Sequence, residues 1–237
     1  MESTVAGAGL VKVLLEFKAD PGVIIPKTDR TVPQQLLRQR DESKEEGTAH
    51  ILTVTKVLLE HAGSASTRTT MIEYQGSDGE SLLHTAVCLK KGALDFVKLL
   101  LEHKADPNAK RVIGGTRIAK RAAADTPLHV ACYAGNKEVI QALLDAKADA
   151  TILNSDGCSA VNAFVCVCES VPDDPTAVSI LQLIISHMGP GWVPNEWQSA
   201  HALQHVVNKK RPELLRVLLN SGLNPNAMLE GNAALHL

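Results

Sequence analysis

Apolar positions at helical spacing, closed by a branched aliphatic pair and then a short polar tail, recur along this chain. The pairs are Leu14-Leu15, Leu58-Leu59, Leu100-Leu101, Leu143-Leu144, Ile184-Ile185 and Leu218-Leu219. Measured between second members, the intervals are 44, 42, 43, 41 and 34 residues. The tails also resemble one another: EFKAD at 16–20, EHAGS at 60–64, EHKAD at 102–106, DAKAD at 145–149 and NSGLN at 220–224. Each pair marks the buried face of a helix, so the pattern predicts one such helix per unit and a repeat protein throughout.

The clearest unit runs TPLHVACYAGNKEVIQALLDAKAD from Thr126. Thr126 is a good N-cap and Pro127 is tolerated at the first helical position. Leu128, Ala131 and Cys132 share one face of a short first helix. Gly135 marks a turn, and Val139, Ile140, Leu143 and Leu144 form the buried face of a second helix. One such unit has too little core to fold alone and must bury its face on a neighbour.

This unit resembles the ankyrin repeat, whose start signature is Thr-Pro-Leu-His-x-Ala. Other starts are Ser81, with His84 at the fourth position, and Thr31, with a charged insertion from Arg38 to Glu46. Two more are placed at Ser159, where Asn162 replaces the histidine, and at His201, where Gln204 replaces it and Lys210 replaces the turn glycine. Ala233-Ala234-Leu235-His236 begins another, and Gly9 to Leu15 reads as the second half of one. The expected fold is an all-α ankyrin-type helix-turn-helix solenoid with short β-hairpin fingers. A single array is expected over 1–237, with five repeats carrying both helices and a partial one at each end.

The resemblance implies a non-enzymatic module that binds a protein through its fingers and first helices, and a monomeric array. His84, His129 and His236 would be structural, bonding between neighbouring units. The exposed first-helix positions would be Cys88, Leu89, Tyr133, Ala134, Cys166, Asn208 and Lys209.

Repeats of about 33 residues leave a surplus here. It is expected between the helices in the units from Thr31 and Ser159, and as fingers after Ser64 and Asp106. The finger after Asp106 carries Gly114-Gly115, suited to a hairpin turn. Its arms hold Lys110, Arg111, Arg117, Lys120 and Arg121, a basic patch that could steer an acidic partner. The segment 189–200 reads as a turn-rich finger holding both tryptophans of the chain, Trp192 and Trp197, as candidate anchors.

Composition narrows the alternatives. Hydrophobic residues make up 45% of the chain and aromatics 3%, so the core must be aliphatic. A net charge of −2 gives no global pull toward nucleic acid or membrane, so nucleic-acid binding would depend on the basic hairpin alone. Five irregularly spaced cysteines argue against a secreted disulfide framework and for the cytoplasm or nucleus. Val5 to Val11 lacks the basic start of a signal peptide. Cys166 and Cys168 are two apart on a predicted helix and diverge, without a second matched pair, so no metal site is expected from them. No phosphate loop, dinucleotide fingerprint or nucleophile elbow is present, and neither catalytic residues nor a cofactor are implied. A regulatory segment of a larger catalytic or channel protein is the alternative reading.

Overall fold

A computed structural model describes residues 19–39, 45–112, 124–167, 174–189, 192–229 and 232–233. Two compact units, 1–120 and 121–237, divide the chain. Gly9–Leu15, Gly114-Gly115, Arg117, Lys120, Arg121, Cys168, Pro190, Gly191 and His236 lie outside the described residues, as does most of the Arg38–Glu46 insertion.

The second unit shows the repeat most plainly. Helices α6 (Pro127–Ala134), α8 (Ala160–Val167) and α10 (Glu196–Asn208) form a row of first helices. Helices α7 (Lys137–Asp145), α9 (Asp174–Ser186) and α11 (Pro212–Asn220) form the matching row of second helices. Each helix packs on its own partner and on the next in its row, so Leu128, Ala131, Val139, Ile140, Leu143 and Leu144 are all buried.

In the first unit α1 (Val32–Gln39) pairs with α2 (Glu45–Glu60), and α4 (Leu82–Val87) with α5 (Ala93–Glu102). Two-residue antiparallel hairpins precede α1 and follow α11. In the first, β1 (Ile24–Ile25) pairs with β2 (Arg30–Thr31) so that Ile24 faces Thr31, and in the second, β3 (Met228–Leu229) pairs with β4 (Asn232–Ala233) so that Met228 faces Ala233.

Two expectations are corrected. The surplus after Ser64 is a helix, α3 (Ala65–Glu73), packed on α4. Ser64 caps it by accepting from the Thr67 amide at 3.0 Å, and Met71 and Ile72 bury its inner side. Its Ser- and Thr-rich stretch shows little apolar period, which hid the helix. The last full repeat begins at Asn195, not His201. Asn195 accepts from the Gln198 amide at 2.8 Å, and Gln198 Oε1 accepts from the Asn195 amide at 3.0 Å. This reciprocal capping sets the start of α10 six residues before the expected position. Trp197 therefore stands in a first helical turn, not in a loop.

The second helices α5, α7 and α11 end in one design. Lys104, Lys147 and Gly222 all have left-handed backbone, with φ of 69°, 69° and 92°. Their amides bond to Leu101, Leu144 and Leu219 carbonyls, and the following amides reach Leu100, Leu143 and Leu218. The buried Ala105, Ala148 and Leu223 then cover those same leucines' end of the helix, as this termination motif requires. Between paired helices, Gly92, Gly135 and Lys210 occupy the left-handed region in the same way.

The start motif couples successive repeats. The Thr126 amide donates to His129 Nδ1 at 3.2 Å, which fixes Nδ1 as an acceptor and puts the ring proton on Nε2. Nε2 then donates to the Cys158 carbonyl, 3.0 Å away in the next repeat. Asn162 does the equivalent: Oδ1 accepts from Ser159 Oγ at 2.9 Å and Nδ2 donates to the Gln198 carbonyl at 3.0 Å. In the first unit Gln34 takes the position, accepting from the Thr31 amide at 2.9 Å and donating to the Tyr74 and Glu80 carbonyls. His129→Ala is expected to strand two of these groups in a dry setting and lower stability by about 1–3 kcal/mol. Urea melts of the full chain measure this, and an unchanged midpoint would remove the coupling role.

Candidate interaction surface

The buried sides of the first helices are repetitive, and their outer ends are varied. Tyr133 and Ala134 close α6, Cys166 and Val167 close α8, and Asn208 with Lys209 close α10. Ala134 and Asn208 are exposed, and Tyr133, Cys166, Val167 and Lys209 are half-buried. In the first unit Cys88 is exposed at the end of α4. Leu89 is corrected: it is only 3% exposed, because the turn leaving α4 carries its apolar side chain inward.

Tyr133 is set by its surroundings. Asn154 Nδ2 lies 3.4 Å from its hydroxyl and 2.9 Å from the buried Asp125 carboxylate. Burial and the Asp125 charge raise the Tyr133 pKa, so the phenol stays protonated as a polar group on this face. Asn154 also closes its own loop, its Oδ1 accepting from the Asp156 and Cys158 amides at 3.0 Å each. That loop presents the Cys158 carbonyl to His129. The Asn-Ser-Asp-Gly run at 154–157 is a turn signal in the sequence, but its tie to Tyr133 and Asp125 has no sequence signature.

Trp197 is 37% exposed. Its indole stacks on the His201 ring with centroids 4.7 Å apart, and its edge lies over Gly157. His201 in turn stands 4.4 Å from the His205 ring, one helical turn on. Cys166 Sγ lies 4.0 Å from His201 Nε2. Burial and the neighbouring His205 lower the His201 pKa to about 4, so the ring between the indole and the thiol is neutral near pH 7. The structure thus brings Trp197 and Cys166 together through His201, with His205 beside it. His201 and His205 stand at i and i+4, a spacing visible in the sequence once the helix register is known. Trp192 is half-buried in the preceding segment, its amide donating to the Gly189 carbonyl at 3.3 Å.

Arg111 is also repositioned. It bonds to Glu80 at 2.8 Å and its side chain is 13% exposed, so its charge is committed to an ion pair. Glu80 and Asp78 also hold Arg38, and Asp78 bonds to Arg30 at 2.8 Å. The Val112 amide bonds to the Gly79 carbonyl and to Gln75 Oε1, tying 110–112 down along the 75–80 turn. This packing is close. A Cβ on Gly79, whose φ is +69°, would lie 1.5 Å from the Val112 carbonyl oxygen.

A model of the ankyrin repeat matches residues 78–111 and 125–155. Over 167 residues the chain is 28% identical to the nuclear factor NF-kappa-B p105 subunit of Gallus gallus. That match covers 69% of this chain and 16% of the relative, so the chain spans a small part of the relative's length. Among solved structures, the ankyrin repeat domain of Bcl-3, a member of the IkappaB protein family, is 20% identical with a TM-score of 0.60, covering 88% of this chain and 79% of that one. An ankyrin repeat domain from Acinetobacter baumannii AYE is 18% identical with a TM-score of 0.67, covering 92% and 94%. Among the described residues no helix is long and apolar enough to cross a membrane.

Asp78 yields a pH prediction. Burial raises its pKa, but the bonds from Arg30 and the Glu80 amide and the charges of Arg38 and Arg30 outweigh this and hold it below 3.8. A depressed folded-state pKa contributes stability that is present above pH 3.8 and is lost as pH falls below it. Asp78→Asn should therefore lower the melting temperature at neutral pH and flatten the acid limb of the melting-temperature curve. Equal acid limbs in parent and variant would show that the ion pairs contribute nothing.

Proposed function

This chain is an ankyrin repeat protein, and on that premise we propose that it binds a partner protein through exposed residues of its first helices. Ankyrin repeats are generally protein-protein interaction modules. The observation that carries the reading here is Trp197, an indole partly exposed on a first helix in a chain with few aromatic residues. Large aromatic rings held in place by a rigid scaffold are the usual anchors of interfaces, since burying them gains much area and orders little. Stacking on His201 holds the indole in one orientation before any partner arrives. Tyr133 and Ala134 at the end of α6, Cys166 on α8, and Asn208 and Lys209 at the end of α10 are further candidate contacts, and Cys88 is the candidate at the end of α4.

The reading is of a binding module without catalysis, acting in the cytoplasm or nucleus. The basic-hairpin route to an acidic protein or nucleic acid is weakened at Arg111, whose charge is already paired. A second reading, a regulatory segment within a longer protein, is favoured by one fact: the matched part makes up only 16% of the NF-kappa-B p105 subunit.

The test is a cross-linking capture from cell extract with the full chain as bait, followed by affinity measurement on each captured protein. Trp197→Ala should weaken binding of the true partner by about 2 kcal/mol or more while the melting temperature holds. Binding that is indifferent to Trp197, Tyr133 and Asn208 substitutions would place the interface elsewhere.

A further inference from the structure

Cys166, His201 and His205 form a cluster whose donor atoms the interaction reading does not use. One ligand atom from each lies within 4.8 Å of the other two. Cys166 comes from α8, and both histidines come from one face of α10, four residues apart. We infer that these three side chains form a binding site for a divalent zinc-type cation, with two imidazole nitrogens and one thiolate as its donors.

The donor atoms are already oriented. His205 Nδ1 donates to the His201 backbone carbonyl at 3.1 Å, which places the His205 proton on Nδ1 and leaves the Nε2 lone pair for a ligand. Such a carbonyl bond behind a histidine is the usual way a metal-ligating ring is held. His201 Nε2 faces Cys166 Sγ at 4.0 Å. In a tetrahedral zinc site with Zn–N of about 2.0–2.1 Å and Zn–S of about 2.3 Å, donors stand about 3.3–3.6 Å apart. Closing the cluster thus asks the donor atoms to approach by about an ångström.

Two nitrogens and one sulfur form a borderline-soft set that suits zinc over magnesium or calcium, which take oxygen ligands. The fourth position would be open to water. Binding releases the Cys166 thiol proton to solvent, because the thiolate is the ligand. His201 binds through Nε2, the ring nitrogen that faces Cys166 Sγ. Its proton moves to Nδ1, and the long 3.4 Å contact from Asn162 Nδ2 is given up, while that amide keeps the Gln198 carbonyl. Trp197, stacked on His201, is a built-in reporter of what binds there.

The inference is independent of any protein partner, and its test uses the metal alone. The reduced full chain is titrated with Co(II), followed by competition with Zn(II). The expected result is saturation at one equivalent, with tetrahedral visible bands and a thiolate-to-cobalt charge-transfer band, all displaced by zinc. Tryptophan emission should change over the same range, and zinc should raise the melting temperature. Cys166→Ser and His205→Gln should each weaken binding by about tenfold or more, the scale of losing a metal-site interaction, whereas Cys88→Ser should change nothing. A cobalt spectrum that stays octahedral without a thiolate band would overturn the inference. So would equal affinity in the parent and His205→Gln, a variant at a half-buried surface position whose fold circular dichroism checks. If Cys166→Ser does not fold, His205→Gln and the charge-transfer band decide the matter between them.

Discussion

A buried helix start with no water to satisfy it is the constraint on which the rest of this protein depends. Thr31, Thr126 and Ser159 are almost wholly buried, so the amides there need protein acceptors. One side chain three residues on meets that need and, with its other end, holds a carbonyl beyond its own repeat. In His129 the two ring nitrogens divide the tasks, and in Gln34 and Asn162 the amide oxygen and nitrogen do so. The chemistry required is an acceptor and a donor at opposite ends of a short, flat group. Histidine, glutamine and asparagine all qualify, which is why the motif survives changes of residue type. Helix formation and repeat stacking are thereby one event, consistent with units that gain their stability from neighbours.

Much of this could be read in advance wherever the apolar period was clean. The leucine pairs located the second helices, and the Thr126 unit was legible down to its buried face. What escaped was polar. The start at Asn195 was overlooked because Trp197 and the prolines before it suggest a loop, while the Asn195–Gln198 capping pair is a weaker signal than a histidine. Helix α3 was hidden by its serines and threonines. Ser64 is a plain N-cap, but nothing in the periodicity says that a helix follows it. Lys210, by contrast, was correctly aligned with the turn glycines, and its φ of 54° shows a lysine accepting the same backbone shape.

Sites are harder to read than folds because they depend on what adjacent repeats bring together. Cys166 and His201 are 35 residues apart, and only the stacking of α8 on α10 makes them neighbours. Cysteine spacing along the chain compares Cys166 with Cys168 and carries no signal of His201. Leu89 and Arg111 illustrate the opposite error. Both occupy positions that the repeat alignment exposes, yet a turn buries the first and Glu80 engages the second. The alignment assigns a position to a face, and local packing then decides whether the side chain is available on it.

The left-handed residues at the ends of the second helices have a bearing on how far this fold is from its own ceiling. Gly222 adopts that shape without steric conflict, while Lys104 and Lys147 hold a Cβ against it at a cost of about 1 kcal/mol each. A positive side chain near a helix C-terminus recovers part of that cost through the dipole, so the two requirements, shape and charge, compete at a single residue. The same competition recurs at Lys210. Such positions are slack in the system: the array holds together although several of its joints carry a residue other than the most relaxed one. A protein built this way can absorb destabilising changes elsewhere, since improvements lie in reserve at these helix ends.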